Sequence, residues 1–526
     1  MTPSIRASLF ALLLPAVALL SGCLSSSEVQ CVSGTVRCGD TCVATQTDNN
    51  NCGSCGSACS GGNVCVNAAC VCPVGQGVCN GICTAVANDP NNCGSCGLKC
   101  DTGRGQACNQ GVCQDCSQGG CRTALIAGCI ATPGGYLQRI QDAPGGILLD
   151  APANPPVATF PDALGFIGSV LLYADDDSST LLEIPVGSLG TASSERPSLV
   201  TGETGGQALT SDIYVEPSDG GSRIYAVATG TNTLRIFGGP DPAQAGALLD
   251  GGAGVVGALG LQDLGGHAFA QDTAPEPFGK IGNDVFVPLN GTGQVLRIDV
   301  SNPASTSVRD TYDLQPLVAA LPGGGVLPDG GVLQASPTQA IARNGFVYVA
   351  ASVLSFDPDR FVSDYGPPLV VRIDPTKSGQ AALSAVPGLD AGVCQNVTWL
   401  ASLPLGTAAR PMLVSCAGVR TYDQDFNVTS VENSSLVLLD GNDQRITGWI
   451  PSNGTPGPDG GPPPASVGRA VAQNTTVYVA DESASRLFVL DFATNSFVER
   501  VGYVDGGTPP QICPTYITDL IVSPAP

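Results

Sequence analysis

The chain has 526 residues, of which 13% are charged, and its formal net charge is −23. Gly and Pro number 68 and 41, so we expect many turns and few long solvent-facing helices. An acidic surface repels phosphate backbones, which argues against nucleic acid as a partner. The single histidine, His267, lies in the apolar, strand-like letters GHAFA and is expected to be a packed or surface residue, so histidine-based catalysis is disfavoured.

The first 23 residues have the pattern of an export signal. Arg6 is the only charge before Cys23, and a nearly unbroken apolar run covers residues 7–20. A run of this length is short for a bilayer core of about 30 Å and is typical of the apolar region of a signal peptide. It ends in the letters LSGC at residues 20–23, which resemble the lipobox of bacterial lipoproteins.

This resemblance implies cleavage before Cys23 and acylation of its thiol and new amino group. Residues 1–22 would then be a lipoprotein signal peptide and residues 23–30 a lipidated tether. Each buried methylene adds about 0.8 kcal/mol, so two or three acyl chains anchor a protein stably. We expect a protein attached by its lipid to the bacterial outer membrane or cell surface. An ordinary signal peptide followed by a chance cysteine is the alternative.

A duplicated cysteine pattern follows the tether. Both copies contain the letters NNCGSCG, at residues 50–56 and 91–97, and they define repeats over residues 31–70 and 71–113. The first set of eight cysteines is Cys31, Cys38, Cys42, Cys52, Cys55, Cys59, Cys65 and Cys70, and the second is Cys72, Cys79, Cys83, Cys93, Cys96, Cys100, Cys108 and Cys113. Such internal repetition indicates two copies of one small module.

The two repeats are interpreted as disulfide frameworks. An exported unit of about 40 residues buries too little surface to fold alone, and bridges worth about 2–4 kcal/mol each can replace the missing core. Zinc ligation or thiol exchange by the Cys-x-x-Cys pairs is the alternative, although neither repeat contains a histidine. Asp48 and Asp89, each beside asparagines, are expected to form turns rather than to bind calcium. The pairing within each repeat stays open.

The cysteine pattern resembles the cysteine-rich repeats of myxobacterial lipoproteins, which are similar to plant stigma-specific cysteine-rich domains. The resemblance covers residues 31–113 and implies an extracellular spacer or binding module without catalytic residues. Residues 114–129 are predicted to be a cysteine-containing linker.

From residue 130 a repeated strand–turn–strand pattern predicts a β-propeller. Pairs of apolar residues such as Tyr225 and Leu234 recur nine positions apart, and six copies of the unit can be traced, each preceded by a further apolar segment. Repeated units of three or four short strands are the signature of propeller blades. The units resemble YVTN-type and NHL-type propeller repeats over about residues 160–526. A pair of β-sandwiches or a β-solenoid is the alternative.

The last segment predicts how the propeller closes. The letters TYITDLIVSP at residues 515–524 echo LTSDIYVEP at residues 209–217, the first strand of an earlier unit. Nothing follows this strand, so we expect it to complete a blade with residues 130–158. Six units and one shared blade give seven blades, with six as the alternative. The predicted fold class is therefore all-β, a disulfide-rich tandem repeat followed by a propeller over residues 130–526.

The even number of cysteines after the two repeats supports this closure of the propeller, because all of them can be paired. Cys394 and Cys416 flank a strand–turn–strand segment and are predicted to bridge one hairpin. If every thiol is paired, Cys513 must reach one of the three cysteines between residues 116 and 129, and Cys129 is favoured because it lies where the propeller begins.

Two insertions mark the predicted binding surface. They cover residues 354–365 and 420–426, occupy the same turn of adjacent units, and mix aromatic with acidic side chains, a composition suited to recognition. The predicted surface consists of Phe356, Asp357, Arg360, Phe361, Tyr365, Tyr422, Asp423, Asp425 and Phe426. Plain decorated loops are the alternative.

Enzymatic function is poorly supported. Lactonase-type propellers hold calcium or another divalent ion in the central channel, and Asp175, Asp176, Asp177 and Asp481 are candidates that no spacing singles out. Quinoprotein propellers rely on tryptophan repeats, whereas this chain has two tryptophans. No serine-nucleophile or phosphate-loop motif is present. We therefore expect no enzyme and no cofactor, with calcium as the one ion considered.

The sequence thus favours an envelope-anchored lipoprotein on a disulfide-rich stalk. Its partners would be the membrane, through the lipid, and an envelope or extracellular protein or polysaccharide. A metal-dependent, lactonase-like hydrolase built on a propeller is the alternative.

Overall fold

The computed structural model divides the chain into two units, residues 1–73 and residues 74–526, which are described separately. The predicted signal peptide, the tether and Cys23 lie outside the described residues. The structure describes residues 35–39, 41–61, 63–66, 68–72, 77–79, 82–84, 92, 99, 106–109, 112–115, 125–130, 135–143, 146–149, 161–168, 170–175, 180–185, 196–200, 210–218, 221–240, 259, 261–322, 324–327, 330–357, 362–403, 410–422, 428–451, 465–473, 476–482, 486–492, 496–500, 502–503 and 516–522. Within these ranges no helix has the length and apolar character needed to cross a membrane.

The first unit is a pair of hairpins held by disulfides. Its strands are β1 (Val36–Cys38), β2 (Thr41–Val43), β3 (Val64–Val66) and β4 (Ala69–Val71), paired β1 with β2 and β3 with β4. The described bridges are Cys38–Cys55, Cys52–Cys65 and Cys59–Cys70, and Cys42 is also disulfide-bonded. The sulfurs of Cys52, Cys59 and Cys70 lie within 4.8 Å of one another, but all three belong to bridges and are not thiolates. The disulfide interpretation of this region is confirmed.

The NNCGSCG letters form the turn between the two hairpins. Asp48 Oδ1 accepts the backbone N–H of Asn50 at 2.7 Å, and Asn51 Oδ1 accepts that of Gly56 at 2.8 Å. Gly53 has a φ of +73°, and a Cβ there would lie 2.6 Å from a backbone oxygen. These short polar side chains and glycines therefore serve the turn itself, as expected for Asp48.

The second repeat has hairpins at equivalent positions. Its strands are β5 (Gly77–Cys79), β6 (Ile82–Thr84), β7 (Gln106–Asn109) and β8 (Val112–Asp115), paired β5 with β6 and β7 with β8. Cys79 and Cys83 are disulfide-bonded, and Asp89 lies outside the described residues.

Because both repeats place hairpins at matching positions, we expect the same pairing in both. Mass spectrometry of peptides cut from the non-reduced protein should find the second-repeat bridges Cys79–Cys96, Cys93–Cys108 and Cys100–Cys113. The first-repeat bridges serve as the internal control. A peptide in which Cys93 is joined to Cys96 would contradict the shared pairing.

The second unit contains a seven-blade propeller. The closing blade, blade 7, begins with β9 (Leu125–Ile130), β10 (Gly135–Ala143) and β11 (Gly146–Leu149). Blade 1 has β12 (Pro161–Ile167), β13 (Val170–Asp175), β14 (Thr180–Pro185) and β15 (Arg196–Val200). Blade 2 has β16 (Thr210–Ser218), β17 (Gly221–Ala228), β18 (Thr233–Gly239) and β19 (Gln262–Ala268). Blade 3 has β20 (Gly279–Ile281), β21 (Asp284–Leu289), β22 (Gln294–Asp299) and β23 (Ser307–Asp313).

The remaining strands complete the ring. Blade 4 has β24 (Gln334–Arg343), β25 (Phe346–Phe356), β26 (Val362–Tyr365), β27 (Leu369–Ile373) and β28 (Leu383–Ala385). Blade 5 has β29 (Val397–Ser402), β30 (Met412–Cys416), β33 (Ser435–Leu439) and β34 (Arg445–Trp449), and carries the hairpin β31 (Val419–Tyr422) and β32 (Val428–Glu432). Blade 6 has β35 (Val467–Gln473), β36 (Thr476–Asp481), β37 (Leu487–Asp491) and β38 (Ser496–Arg500). Blade 7 ends with β39 (Gly502–Tyr503) and β40 (Tyr516–Val522). Among the described residues, the short helices are α1 (Gln315–Ala319) and three 3₁₀ turns, Asn290–Thr292, Pro303–Ser305 and Gly379–Ala382.

The core lies between the blades. Among the described residues, seven apolar clusters occupy the seven blade junctions, including blade 6 with blade 7 and blade 7 with blade 1. A blade covered on both faces needs central strands that are apolar throughout, and residues 347–351 of β25 are all nearly or fully buried. This explains why the second and third strands of each unit read as continuous apolar runs.

The shared blade closes the ring as predicted. The last strand, β40, pairs antiparallel with β9, and Ile517 lies opposite Cys129. The six sequence units form blades 1–6, and the seven-blade prediction is confirmed. Strand β9 begins at Leu125, so the end of the predicted 114–129 linker is part of blade 7 and the predicted boundary at residue 130 is too late.

Two of the cysteine predictions concern this unit. Cys394 and Cys416 are joined in a disulfide with a Cα–Cα distance of 5.1 Å. Cys129 is buried and disulfide-bonded, whereas Cys513 lies outside the described residues.

His267 has a packing role in the outer strand of blade 2. Its Nδ1 lies 3.2 Å from Thr306 Oγ1, and its ring meets Phe269 edge-on with centroids 5.1 Å apart. Burial lowers the pKa of His267, which favours the neutral ring.

Candidate binding face

Both insertions project from one end of the propeller. In an antiparallel blade successive turns alternate between the two ends, so the turn between the second and third strands lies at the end where the first strand begins. In blade 4 this turn is lengthened by β26, where Tyr365 pairs with Leu354 of β25. In blade 5 it is lengthened by the β31–β32 hairpin. We call this end the insertion face.

The two insertions lie close together at Arg420. Arg420 lies beside Tyr365 and Tyr422, and its guanidinium forms an ion pair with Glu482 of blade 6. Arg420 Nε also donates to Ser466 Oγ at 2.9 Å. Burial is the main cause that raises the pKa of Tyr365 above its ordinary value, and the neighbouring Tyr422 adds to it. Blades 4, 5 and 6 thus hold one continuous surface.

The structure describes four of the nine predicted surface residues. Phe356 and Tyr422 have 38% and 49% of their surface exposed, while Asp357 and Tyr365 are half-buried. The other five, Arg360, Phe361, Asp423, Asp425 and Phe426, lie outside the described residues. The described part of the surface therefore presents two aromatic side chains from neighbouring blades.

A cavity of about 520 Å³ opens beside Phe356. Its wall is formed by the turn at residues 290–293 of blade 3, by Gln315 and by residues 334–336 of blade 4. Gln315 Nε2 donates to the carbonyl of Leu333 at 2.7 Å, and its Oε1 accepts the N–H of Ala335 at 3.2 Å. The cavity was missed in the sequence because its lining comes from turns that share no motif.

A charged cluster lies at the channel mouth on the same face. Arg469 of blade 6 forms an ion pair of 2.6 Å with Asp519 of blade 7 and donates to the carbonyl of Ser211 in blade 2 at 3.3 Å. Its guanidinium also lies 4.9 Å from the ring centre of Trp399. Arg469 therefore spans the central channel from one side to the other.

Asp212 of blade 2 faces this cluster. Burial is the main cause that raises the pKa of Asp212 to about 7, and the negative charge of Asp519 adds to it. Burial also raises the pKa of Asp519, while Arg469 opposes that change. The channel mouth thus holds a carboxyl group that titrates near neutral pH. One feature of the sequence pointed to this pair of carboxyl groups: the similar segments at residues 209–217 and 515–524 align Asp212 with Asp519.

The first strands use a repeated polar contact to reach the next blade. Ser211 Oγ donates to the carbonyl of Pro275 at 3.2 Å, and Thr338 Oγ1 donates to that of Thr398 at 2.9 Å. The Thr518 hydroxyl makes the equivalent contact to blade 1. Each hydroxyl lies at a bulge in the first strand, which turns it toward the neighbouring blade. These contacts tie the inner ring together.

The acidic residues considered as calcium ligands are placed differently. Asp481 is fully buried and pairs with Arg486, whose Nε and Nη2 lie 2.7 and 2.5 Å away. Its Oδ1 accepts the N–H of Ser466 at 3.0 Å. Asp481 is therefore an internal partner of Arg486. Asp175 ends β13, and Asp176 and Asp177 lie outside the described residues.

Comparison with known proteins finds only distant structural similarities. No family model matches the chain, and no curated protein matches it either. Among solved structures, apo AztD from Citrobacter koseri is 15% identical with a TM-score of 0.40, covering 77% of this chain and 99% of that one. A streptogramin B lyase is 11% identical with a TM-score of 0.37, covering 69% and 93%. A chain of a nidogen/laminin complex is 9% identical with a TM-score of 0.36, covering 77% and 99%. At these values no ligand or reaction carries over.

Proposed function

We propose that this protein is a lipid-anchored propeller of the bacterial outer membrane or cell surface that binds a protein or polysaccharide through its insertion face. The observation that carries the proposal is that insertions from adjacent blades lie at one end of the propeller, with Arg420 beside Tyr365 and with the exposed side chains of Phe356 and Tyr422 on the same face. Recognition surfaces depend on aromatic side chains presented by a rigid support, because little entropy is then lost on binding. Phe356 and Tyr422 meet this requirement.

Removing these two aromatic side chains tests the binding proposal. The Phe356→Ser/Tyr422→Ser variant should capture its partner from the cell envelope at least about tenfold less well than the unmodified protein, because buried aromatic anchors each contribute about 2 kcal/mol or more at interfaces. The readout is affinity capture of envelope proteins and polysaccharides, followed by titration of the captured partner.

Exposed apolar residues away from this face provide the control. The Val308→Ser/Ile446→Ser variant alters outer strands of blades 3 and 5, whose side chains are exposed. It should capture the partner as the unmodified protein does. Equal losses in both variants would contradict a site on the insertion face. A stoichiometric calcium or zinc ion in the purified protein would instead favour the metal-dependent hydrolase.

The lipid anchor has its own test. Cells fed an alkyne-bearing fatty acid should label the unmodified protein and not the Cys23→Ser variant, because acylation needs that thiol. The variant should also leave the membrane fraction after export. An equally labelled Cys23→Ser variant would contradict lipidation at this residue.

A further inference from the structure

A polar groove lies at the end of the propeller opposite the insertion face. Its volume is about 640 Å³, and it is bounded by the first turns of blades 2 and 3 at Pro217, Ser218, Gly282 and Asn283. The groove exists because the two first strands differ in length. Strand β16 has nine residues and β20 has three, so the end of β16 extends past its neighbour.

The floor of the groove is a fixed aromatic ring. Tyr214 is 40% exposed and lies in the groove lining. Its ring packs against Tyr225 and Phe278, with centroids 6.1 and 5.8 Å away. The ring is therefore held in one orientation with part of its surface open to solvent.

Two cations, Lys280 and Arg223, also line the groove. Lys280 Nζ lies 2.8 Å from Glu216 Oε2 and 5.5 Å above the ring of Tyr225. The Tyr225 hydroxyl donates to Glu216 Oε1 at 2.8 Å. The groove thus contains two positive groups and one negative group, in a chain whose net charge is −23. Such a local excess of positive charge favours an anionic ligand.

We infer that this groove binds a carboxylated sugar unit, such as a uronic acid within a polysaccharide. An aromatic ring offers a flat apolar surface to one face of a pyranose. The guanidinium of Arg223 matches a carboxylate in shape and charge, and Lys280 adds a second positive charge beside it. Ser218 and Asn283 supply short polar groups at the rim. The inference does not depend on the insertion face, which lies at the other end of the blades.

Titration of the full-length protein with two matched probes tests the inference. A trimer of galacturonic acid should bind at least about tenfold more tightly than a neutral galactose trimer, and its affinity should fall as salt is added. Tyr214→Ala and Arg223→Gln should each weaken binding of the acidic trimer about tenfold, and Arg223→Lys should weaken it less. Ile446→Ser, at an exposed position of blade 5 outside the groove, should leave this affinity unchanged. Thermal unfolding of each variant checks that the propeller is intact.

Several results would overturn the inference. These are equal affinity for the two trimers, binding of neither, and competition by inorganic phosphate as effective as that by the acidic trimer. An intact Tyr214→Ala protein with unchanged affinity would also overturn it. Loss of partner capture through the insertion face, by contrast, leaves the result of this titration unaffected, so the two proposals fail separately.

Discussion

Replacing Arg343 by Ala should lower the free energy of unfolding by about 3 kcal/mol, because the buried Asp443 carboxylate then keeps only the Tyr348 hydroxyl and Arg372, which lies 3.1 Å away and is 39% exposed. The side chains of Arg343 and Asp443 are 0% and 5% exposed, and their closest N–O distance is 2.6 Å. Arg343 Nε also donates to the carbonyl of Arg410 at 2.6 Å. The Tyr348 hydroxyl donates to Asp443 Oδ2 at 2.9 Å, and burial together with this bond raises the pKa of Tyr348 to about 12.

Urea unfolding of matched variants separates burial from charge. Arg309→Ala removes a residue whose side chain is 45% exposed and that pairs with Asp299 and Asp284. Because Asp284 keeps its ion pair with Arg297, the loss should cost about 1 kcal/mol or less. Arg343→Met/Asp443→Asn leaves neither charge buried and should recover part of the stability lost in Arg343→Ala. Asn is chosen because residue 443 has a φ of +66°, which asparagine tolerates. Similar losses for Arg343→Ala and Arg309→Ala would show that burial does not decide the effect.

Replacing Arg469 by Met should make the stability of the propeller strongly dependent on pH. The pKa of Asp212 in the folded protein is about 7, above the value of about 3.9 for an unfolded chain, so the folded state binds more protons between these values. Stability therefore falls as the pH rises from about 4 to about 7. Arg469 lowers the pKa of both Asp212 and Asp519, so without it both pKa values rise and the loss extends to higher pH.

The expected loss in Arg469→Met is about 3–4 kcal/mol at pH 8, where Asp212 is ionised in the folded protein and needs the charge of Arg469, and it is smaller at pH 5, where Asp212 is protonated. Urea unfolding at these two pH values measures it. Arg469→Met/Asp519→Asn removes one of the facing charges and should restore much of the stability at pH 8. A loss of equal size at both pH values would mean that Arg469 acts through its packing on Trp399 rather than through charge.

The fold was predictable because its repeat is local. Residues such as Tyr225 and Leu234 belong to the second and third strands of one blade, and their spacing is set by a short turn that most blades share. Closure was predictable because the strand at residues 516–522 keeps the pattern of a first strand. The boundary at Leu125 was missed because the single strand β9 lies among cysteines and gives no periodic signal of its own.

The site was predictable only where it depends on sequence position within the repeat. Tyr365 and Tyr422 occupy the same turn of adjacent blades, so their approach follows from the fold. The position of Arg420 beside Tyr365 does not, because Arg420 belongs to no repeated motif. The contact from Arg469 to Ser211 joins residues far apart in the sequence, and only the closed ring brings them together.

The shared blade also governs the order in which the propeller can become complete. The apolar clusters on both sides of blade 7 include residues of β40, so they cannot fully form before that strand has been synthesised. Until then β9 is an open edge, with unpaired backbone groups available to any other extended chain. Contacts between such distant segments form slowly. The interval before β40 pairs with β9 is therefore the stage of folding at which the protein is most exposed to misassembly.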